Sequence, residues 1–221
     1  RRMKLVVVVM VMAVAVCHGA NINYQSQVRL HNEFRAVVDP PGVTPLNNMT
    51  WNADAASLSG AYAEKCVYMH NPDRGNFGEN LAAYTSSSFG PDGVSDTVMQ
   101  SYYDESAAMW WEENANYDIY GPCDGPNVCG TCQSEPCGHY TQMAWNTTTS
   151  LGCGIAYCDT NSPFGSSFPY WVYVVCDYSP PGNYIKQYPY TPVPKSRGGH
   201  RSPRPNIRPT LDASQNMVSV L

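Results

Sequence analysis

Cys137-Gly138-His139-Tyr140-Thr141-Gln142-Met143-Ala144-Trp145 sets a cysteine, an imidazole and two aromatic rings within nine residues. An imidazole so placed is either a core group with both nitrogens satisfied or one part of a site. The chain on either side decides between the two.

Downstream, residues 151–158 and 170–178 have the β-branched and aromatic content of strands, and residues 159–169 are long enough to pair them antiparallel. Just upstream, residues 117–136 form a cysteine, glycine and proline loop that only disulfides could order. Earlier still, apolar residues recur at helical spacing in 24–38, 51–66 and 94–114, with Asn23 placed to cap the first helix. Residues 75–82 read as a tight loop that holds Glu79 near Phe77 and Leu81, where a carboxylate needs partners. Helices gathered ahead of a short antiparallel sheet predict a layered α+β domain, stabilised by disulfides, over residues 21–185 of the 221-residue chain.

Residues 1–20 open with Arg1, Arg2 and Lys4, run through an apolar stretch and end in small residues, the pattern of a secretory signal peptide. The apolar stretch is too short to span a bilayer comfortably, so a secreted, extracellular protein without a transmembrane anchor is expected. Removal of the signal leaves eight cysteines: Cys66, Cys123, Cys129, Cys132, Cys137, Cys153, Cys158 and Cys176. In an oxidising compartment this even set predicts four disulfides, whose connectivity the spacing does not give. Cys129-Gly-Thr-Cys132, flanked by Cys123 and Cys137, also sketches a four-thiolate zinc site, the weaker reading in oxidising surroundings. Asn48-Met49-Thr50 and Asn146-Thr147-Thr148 match the N-glycosylation acceptor pattern.

Charge is unevenly spread. Residues 21–185 hold 17 acidic side chains against four basic ones, whereas residues 186–221 hold six basic and one acidic. The acidic body argues against a nucleic acid partner. The Pro- and Arg-rich tail, 186–221, reads as disordered, with a sulfated glycan as one partner its charge would suit.

Four stretches, in order, resemble the secreted CAP superfamily, which includes cysteine-rich secretory proteins, insect venom antigen 5 and plant pathogenesis-related 1 proteins. They are His31-Asn32-x-x-Arg35, Gly78-Glu79-Asn80-Leu81-Ala82, the run from Gly138 to Trp145, and residues 173–184. The resemblance implies a three-layer α-β-α sandwich with a central cleft. It also implies a cleft set of two histidines and two glutamates, namely His70, Glu79, Glu113 and His139. Glu113 is preferred to Glu112 because Trp110-x-x-Glu113, with Tyr117 four residues on, fits the family pattern. Such a set suits zinc or another divalent cation, with the carboxylates orienting the imidazoles or binding through water. A hydrogen-bonded network without metal is the alternative. Asp177 departs from the second signature, where a neutral or basic polar residue usually follows the cysteine.

The resemblance implies an extracellular binding module with a role in defence or secretion, its partner a lipid, a sterol or another extracellular protein. Phe164, Phe168, Tyr170 and Trp171 form an aromatic cluster in sequence that could take an apolar ligand. A metal-dependent hydrolase or protease using the same cleft is the alternative, although neither a Gly-x-Ser-x-Gly elbow nor a His-Glu-x-x-His run is present. Thr141 is the nearest candidate nucleophile to His139. A channel-blocking toxin fits least, because that activity resembles a property of an extra cysteine-rich C-terminal domain and no cysteine follows Cys176.

Overall fold

The computed structural model describes residues 21–123, 128–133 and 136–195, and the backbone of 216–220. The expected signal peptide, 1–20, and most of the tail lie outside the described residues. The elements follow in the order α1 (Ser26–Ala36), β1 (Thr50–Trp51), α2 (Ala53–Ala63), β2 (Gly78–Thr85), α3 (Asp96–Glu112), a 3-10 turn (Glu113–Asn116), β3 (Tyr117–Asp118), β4 (Thr131–Cys132), α4 (Gly138–Met143), β5 (Ser150–Cys158), β6 (Trp171–Ser179) and β7 (Asn216–Val220).

Three layers result, as the resemblance implies. The main sheet runs β1-β5-β6-β2-β7, with β1 parallel to β5 and every other pair antiparallel, so it is mixed rather than purely antiparallel. Helices α1, α3 and α4 pack on one face around Phe34, Tyr102, Trp110 and Tyr140. Helix α2 covers the other face, where Tyr62, Leu81, Trp171 and Tyr173 form a second apolar cluster. β6 is buried on both faces, which is why its sequence is a continuous apolar run.

Close approach fixes α2 on the sheet. A Cβ at Gly152 would overlap the backbone of Asn52 and Ala56, and one at Gly154 would overlap the backbone of Gly60. Asn52 caps α2 by accepting from the N–H groups of Asp54 and Ala55, and Ser95 caps α3 by accepting from Val98 N–H. Helix α1 departs from expectation: its N-cap is Gln25, without a side-chain cap bond, and Asn23 contributes only its carbonyl to Ser26 N–H.

Two expectations need correction. Residues 78–85 are a strand, not a loop, because seven consecutive residues from Gly78 to Tyr84 pair with β6, and this overrides the low strand preference of Asn and Ala. Within the tail, the described residues 186–195 and 216–220 make ordered contacts with the body. Tyr190 is buried, Cys129 N–H donates to Gln187 O, Val193 N–H donates to Pro41 O, and Asn216–Val220 adds a strand to the free edge of β2. Buried aromatic surface and backbone hydrogen bonds hold these pieces despite the Pro-rich composition.

All eight expected cysteines are paired, as Cys66–Cys158, Cys123–Cys129, Cys132–Cys137 and Cys153–Cys176. Pairing leaves no thiolates for the sketched zinc site. Among the described residues, no helix is long and apolar enough to cross a membrane.

Candidate functional site

A cleft of about 600 Å³ opens at one end of the sheet, lined in part by His70, Glu79, Asn80, His139, Thr141 and Ile185. β2 builds both halves of it. Successive strand residues point to opposite faces. Glu79 turns toward the α2 side with Leu81, while Asn80 turns toward the α4 side with Ala82.

On the α2 side, His70 Nδ1 donates to Glu79 Oε1 at 2.6 Å, and Asn71 N–H donates to the same oxygen at 2.9 Å. On the α4 side, His139 Nδ1 donates to Glu113 Oε1 at 2.6 Å, while Glu113 Oε2 accepts the N–H groups of His139 and Tyr140. Glu113 thus satisfies backbone donors at the start of α4, which no helical partner can reach. This accounts for a carboxylate just beyond the end of α3. The His139 ring stacks on Trp110, with centroids 5.9 Å apart. Wherever such a ring is neutral with Nδ1 donating, its lone pair resides on Nε2.

The α4 half is anchored by a buried relay. Asn80 Nδ2 donates to His139 O and to the Tyr178 hydroxyl, at 3.2 and 3.1 Å. The Tyr178 hydroxyl donates to His31 Nε2, and His31 Nδ1 donates to Gln27 O. Burial drives the His31 pKa from 6.5 down to about 3, and the Arg35 charge acts in the same direction. His31 is therefore neutral, as the relay requires. Arg35, also buried, holds the far end of α4 by donating to the carbonyls of Met143 and Trp145. In the sequence, His31 and Arg35 stand out through the His31-Asn32-x-x-Arg35 stretch of the resemblance; their long-range partners leave no local signal.

His70, Glu79 and His139 line one cleft, and Glu113, outside that lining, bonds His139, so the four form two His–Glu pairs. The carboxylates hold the Nδ1 atoms and so fix the orientation of both rings. Among the described residues, no three His, Cys, Asp or Glu side chains converge as a metal cage. Two imidazoles fit a divalent cation only as an open site, with its other positions filled by water or by the ligand.

The four aromatics of the 164–171 stretch do not gather into one group. Trp171 is wholly buried in the second apolar cluster with its indole N–H on Thr160 O, Phe164 packs against that cluster, and Tyr170 stacks on Tyr157 instead. Phe168 is half-buried, with its carbonyl accepting from the Ser162 hydroxyl. Tyr170 immediately precedes β6, whereas Trp171 is its first residue and enters the second cluster. Thr141 Oγ1 lies 2.7 Å from Asn183 Oδ1 and 3.2 Å from Gly138 O, and its single hydroxyl proton serves these acceptors. Asn48 is exposed, whereas Asn146 is half-buried with Oδ1 accepting from Asn47 N–H, and Thr148 of the same acceptor pattern is buried.

A family model described as "CAP: Cysteine-rich secretory protein family" matches residues 28–178. Peptidase inhibitor 16 of Mus musculus is 36% identical over 166 residues, covering 75% of this chain and 29% of that protein. Peptidase inhibitor 15 of Xenopus laevis is 33% identical over 167 residues, covering 74% and 60% respectively. The chain therefore spans less than two thirds of the length of either relative. Among solved structures, BmVAL-1 superposes with a TM-score of 0.60 at 27% identity, covering 78% of this chain and 84% of that one. NaASP2, solved with Zn2+, superposes with a TM-score of 0.56 at 25% identity, covering 76% and 85%.

Proposed function

The chain belongs to the CAP family of cysteine-rich secretory proteins, and from that premise we propose that it is a secreted, extracellular binding module whose ligand enters between His70 and His139. The observation that carries this reading is the pairing of each imidazole Nδ1 with a carboxylate, which fixes the orientation of both rings at the cleft. Exposed Met69 beside His70 and Ile185 in the cleft lining, 54% and 64% accessible, suit a ligand or partner protein with an apolar portion.

A divalent cation is the finer form of this proposal. His70 and His139 would hold it, and once bound it would supply an electrophilic anchor for an oxygen or nitrogen of the ligand. The NaASP2 structure with Zn2+ supports the choice of zinc as probe. Hydrolysis by a hydroxyl nucleophile at Thr141 is not favoured, because that hydroxyl has Asn183 Oδ1 and Gly138 O as its acceptors. A lipid or sterol enters as a ligand of the cleft, not of the 164–171 aromatics. We also propose glycosylation at exposed Asn48 in preference to Asn146.

The test is calorimetric titration of zinc into the protein lacking residues 1–20, beside a Glu113→Gln, His139→Ala double variant. Binding by the first and none by the second supports the metal reading. Absence of heat in both, with circular dichroism unchanged, retires the metal and leaves the polar cleft.

A further inference from the structure

β6 pairs with one edge of β2 from Gly78 to Tyr84, and β7 pairs with the other from Leu81 to Thr85. An antiparallel residue turns its N–H and C=O to the same side, and its neighbours turn theirs to the opposite side. Asn52 N–H donates to Leu151 O on the side of β5 away from β6, so Gly152, Gly154 and Ala156 turn their groups to β6, opposite Asp177, Val175 and Tyr173. Cys176 and Val174, which lie between those, turn theirs to Asn80 and Ala82 of β2. That leaves Leu81, Ala83 and Thr85 to bond outward, opposite Val220, Val218 and Asn216. With β7 in place, Leu81 to Thr85 are wholly buried. Without it, a row of backbone donors and acceptors is left bare, ready to pair with an extended chain.

Little ties β7 to its own copy. It is five residues long and lies at the end of the sheet, paired along one side, and no cysteine occurs after Cys176 to anchor it. Its link to the body runs through residues 196–215, and the entropy of closing a loop depends only weakly on its length, so such a link imposes no sharp preference for its own edge. The backbone bonds are the same whichever copy supplies the strand. Charge draws the link toward a neighbouring body as well as its own. Residues 196–215 carry four arginines against Asp212, whereas residues 21–185 carry 17 acidic side chains against four basic ones.

We propose that the outer edge of β2 is a strand-docking site whose partner is a second copy of this chain, which inserts its own 216–220 segment in the register seen within one copy, with Val218 opposite Ala83. Recognition runs through the main chain, so it depends on which N–H groups of the segment face β2. Those of Asn216, Val218 and Val220 do, and those of Met217 and Ser219 face away. The inference is independent of any ligand of the His70 and His139 cleft.

The experiment uses the full chain and two proline variants. Val218→Pro removes an N–H that faces Ala83, whereas Met217→Pro removes one that faces away from β2, where an edge strand tolerates proline. Amide hydrogen exchange should show Val218→Pro losing protection at Leu81, Ala83 and Thr85 but keeping it at Ala82 and Tyr84, which face β6; Met217→Pro should lose none. A labelled peptide of residues 213–221 should bind the Val218→Pro chain and restore protection at those three amides, and the same peptide carrying proline at 218 should not bind. Sedimentation of the wild type at rising concentration should show a monomer–dimer equilibrium that Met217→Pro keeps and Val218→Pro abolishes. A peptide that does not bind the vacated edge would overturn the proposal, as would a Val218→Pro chain that does not fold, since the segment would then be an integral strand. A wild type that stays monomeric throughout, or a dimer that persists in Val218→Pro through direct pairing of two β2 edges, would equally overturn it.

Discussion

Arg35 offers the sharpest test of how the α4 half of the cleft is held. Its guanidinium is buried with no carboxylate partner among the described residues and instead donates to Met143 O, Asn47 O and Trp145 O at 2.6, 2.8 and 3.0 Å, with a longer contact of 3.4 Å to Thr148 O. Hydrogen bonds from a charged donor contribute roughly 1.5 to 3 kcal/mol each, so the three short ones give about 4 to 9 kcal/mol. Burying the charge opposes them: the Arg35 pKa falls from 12.5 to about 10, mainly through burial, a cost of about 3 kcal/mol. Arg35→Leu removes that cost but strands the carbonyls, so a net loss of about 4 kcal/mol is expected, a large part of a typical stability of about 5 to 15 kcal/mol. Arg35→Lys keeps the charge, loses the planar fork and should cost about 2 kcal/mol. Urea denaturation with intact disulfides measures both. The reasoning is refuted if Arg35→Leu lies within about 1 kcal/mol of the wild type.

His31 and Asp177 give opposite pH slopes. The His31 pKa is depressed to about 3, so its contribution is complete above pH 6.5 and is lost as pH falls toward 3, by up to about 5 kcal/mol. The Asp177 pKa is raised to about 7, so its contribution is complete below pH 3.8 and is lost as pH rises through 7. Between pH 3.8 and 6.5 the two slopes should cancel in the wild type; Asp177→Asn should unmask stability that rises with pH, and His31→Asn stability that falls, as read from melting temperatures. Gly154→Ala should cost at least about 2 kcal/mol by pushing α2 off β5, whereas Gly60→Ala, whose Cβ meets nothing within 4 Å, should gain up to about 1 kcal/mol, both by denaturant titration. For glycosylation, secretion from eukaryotic cells followed by intact mass should show a glycan that Asn48→Gln removes.

The parts of the fold legible in the sequence were those with a strong local period. β5 and β6 are buried on both faces and read as apolar runs, and α1, α2 and α3 carry helical stripes. β2 escaped because Gly-Glu-Asn-Leu-Ala-Ala has neither β-branched residues nor clean alternation; only the pairing with β6 makes it a strand. β1 is two residues long and α4 six, too short for any period. Tyr190 looks like one tyrosine in a Pro-rich tail until a pocket for it exists. The four cleft residues came from matching motifs rather than from spacing, since each lies in a separate segment. What positions them is a set of bonds between residues up to 147 apart in sequence, as between His31 and Tyr178, and such bonds have no sequence period at all.

The placement of Glu79 and Asn80 nevertheless follows from one elementary rule once β2 is known to be a strand. Adjacent strand residues face opposite sides, so a single dipeptide reaches one histidine side chain below the sheet and the backbone of the other above it. A loop with the same sequence would have no reason to divide them so. The pairing partners complete the division: Asp177 opposes Glu79 on one face, while Tyr178, the next residue of β6, bonds Asn80 on the other. Both halves of the cleft are therefore set by one register between β2 and β6. A slip by one residue would exchange Glu79 and Asn80 between faces and separate both histidines from their partners. Cys153–Cys176 ties β6 to β5 at the residue just before Asp177, so the strand that fixes this register is itself covalently held. Removing that disulfide should loosen His70 and His139 together, whereas removing Cys132–Cys137, next to α4 alone, should affect His139 first.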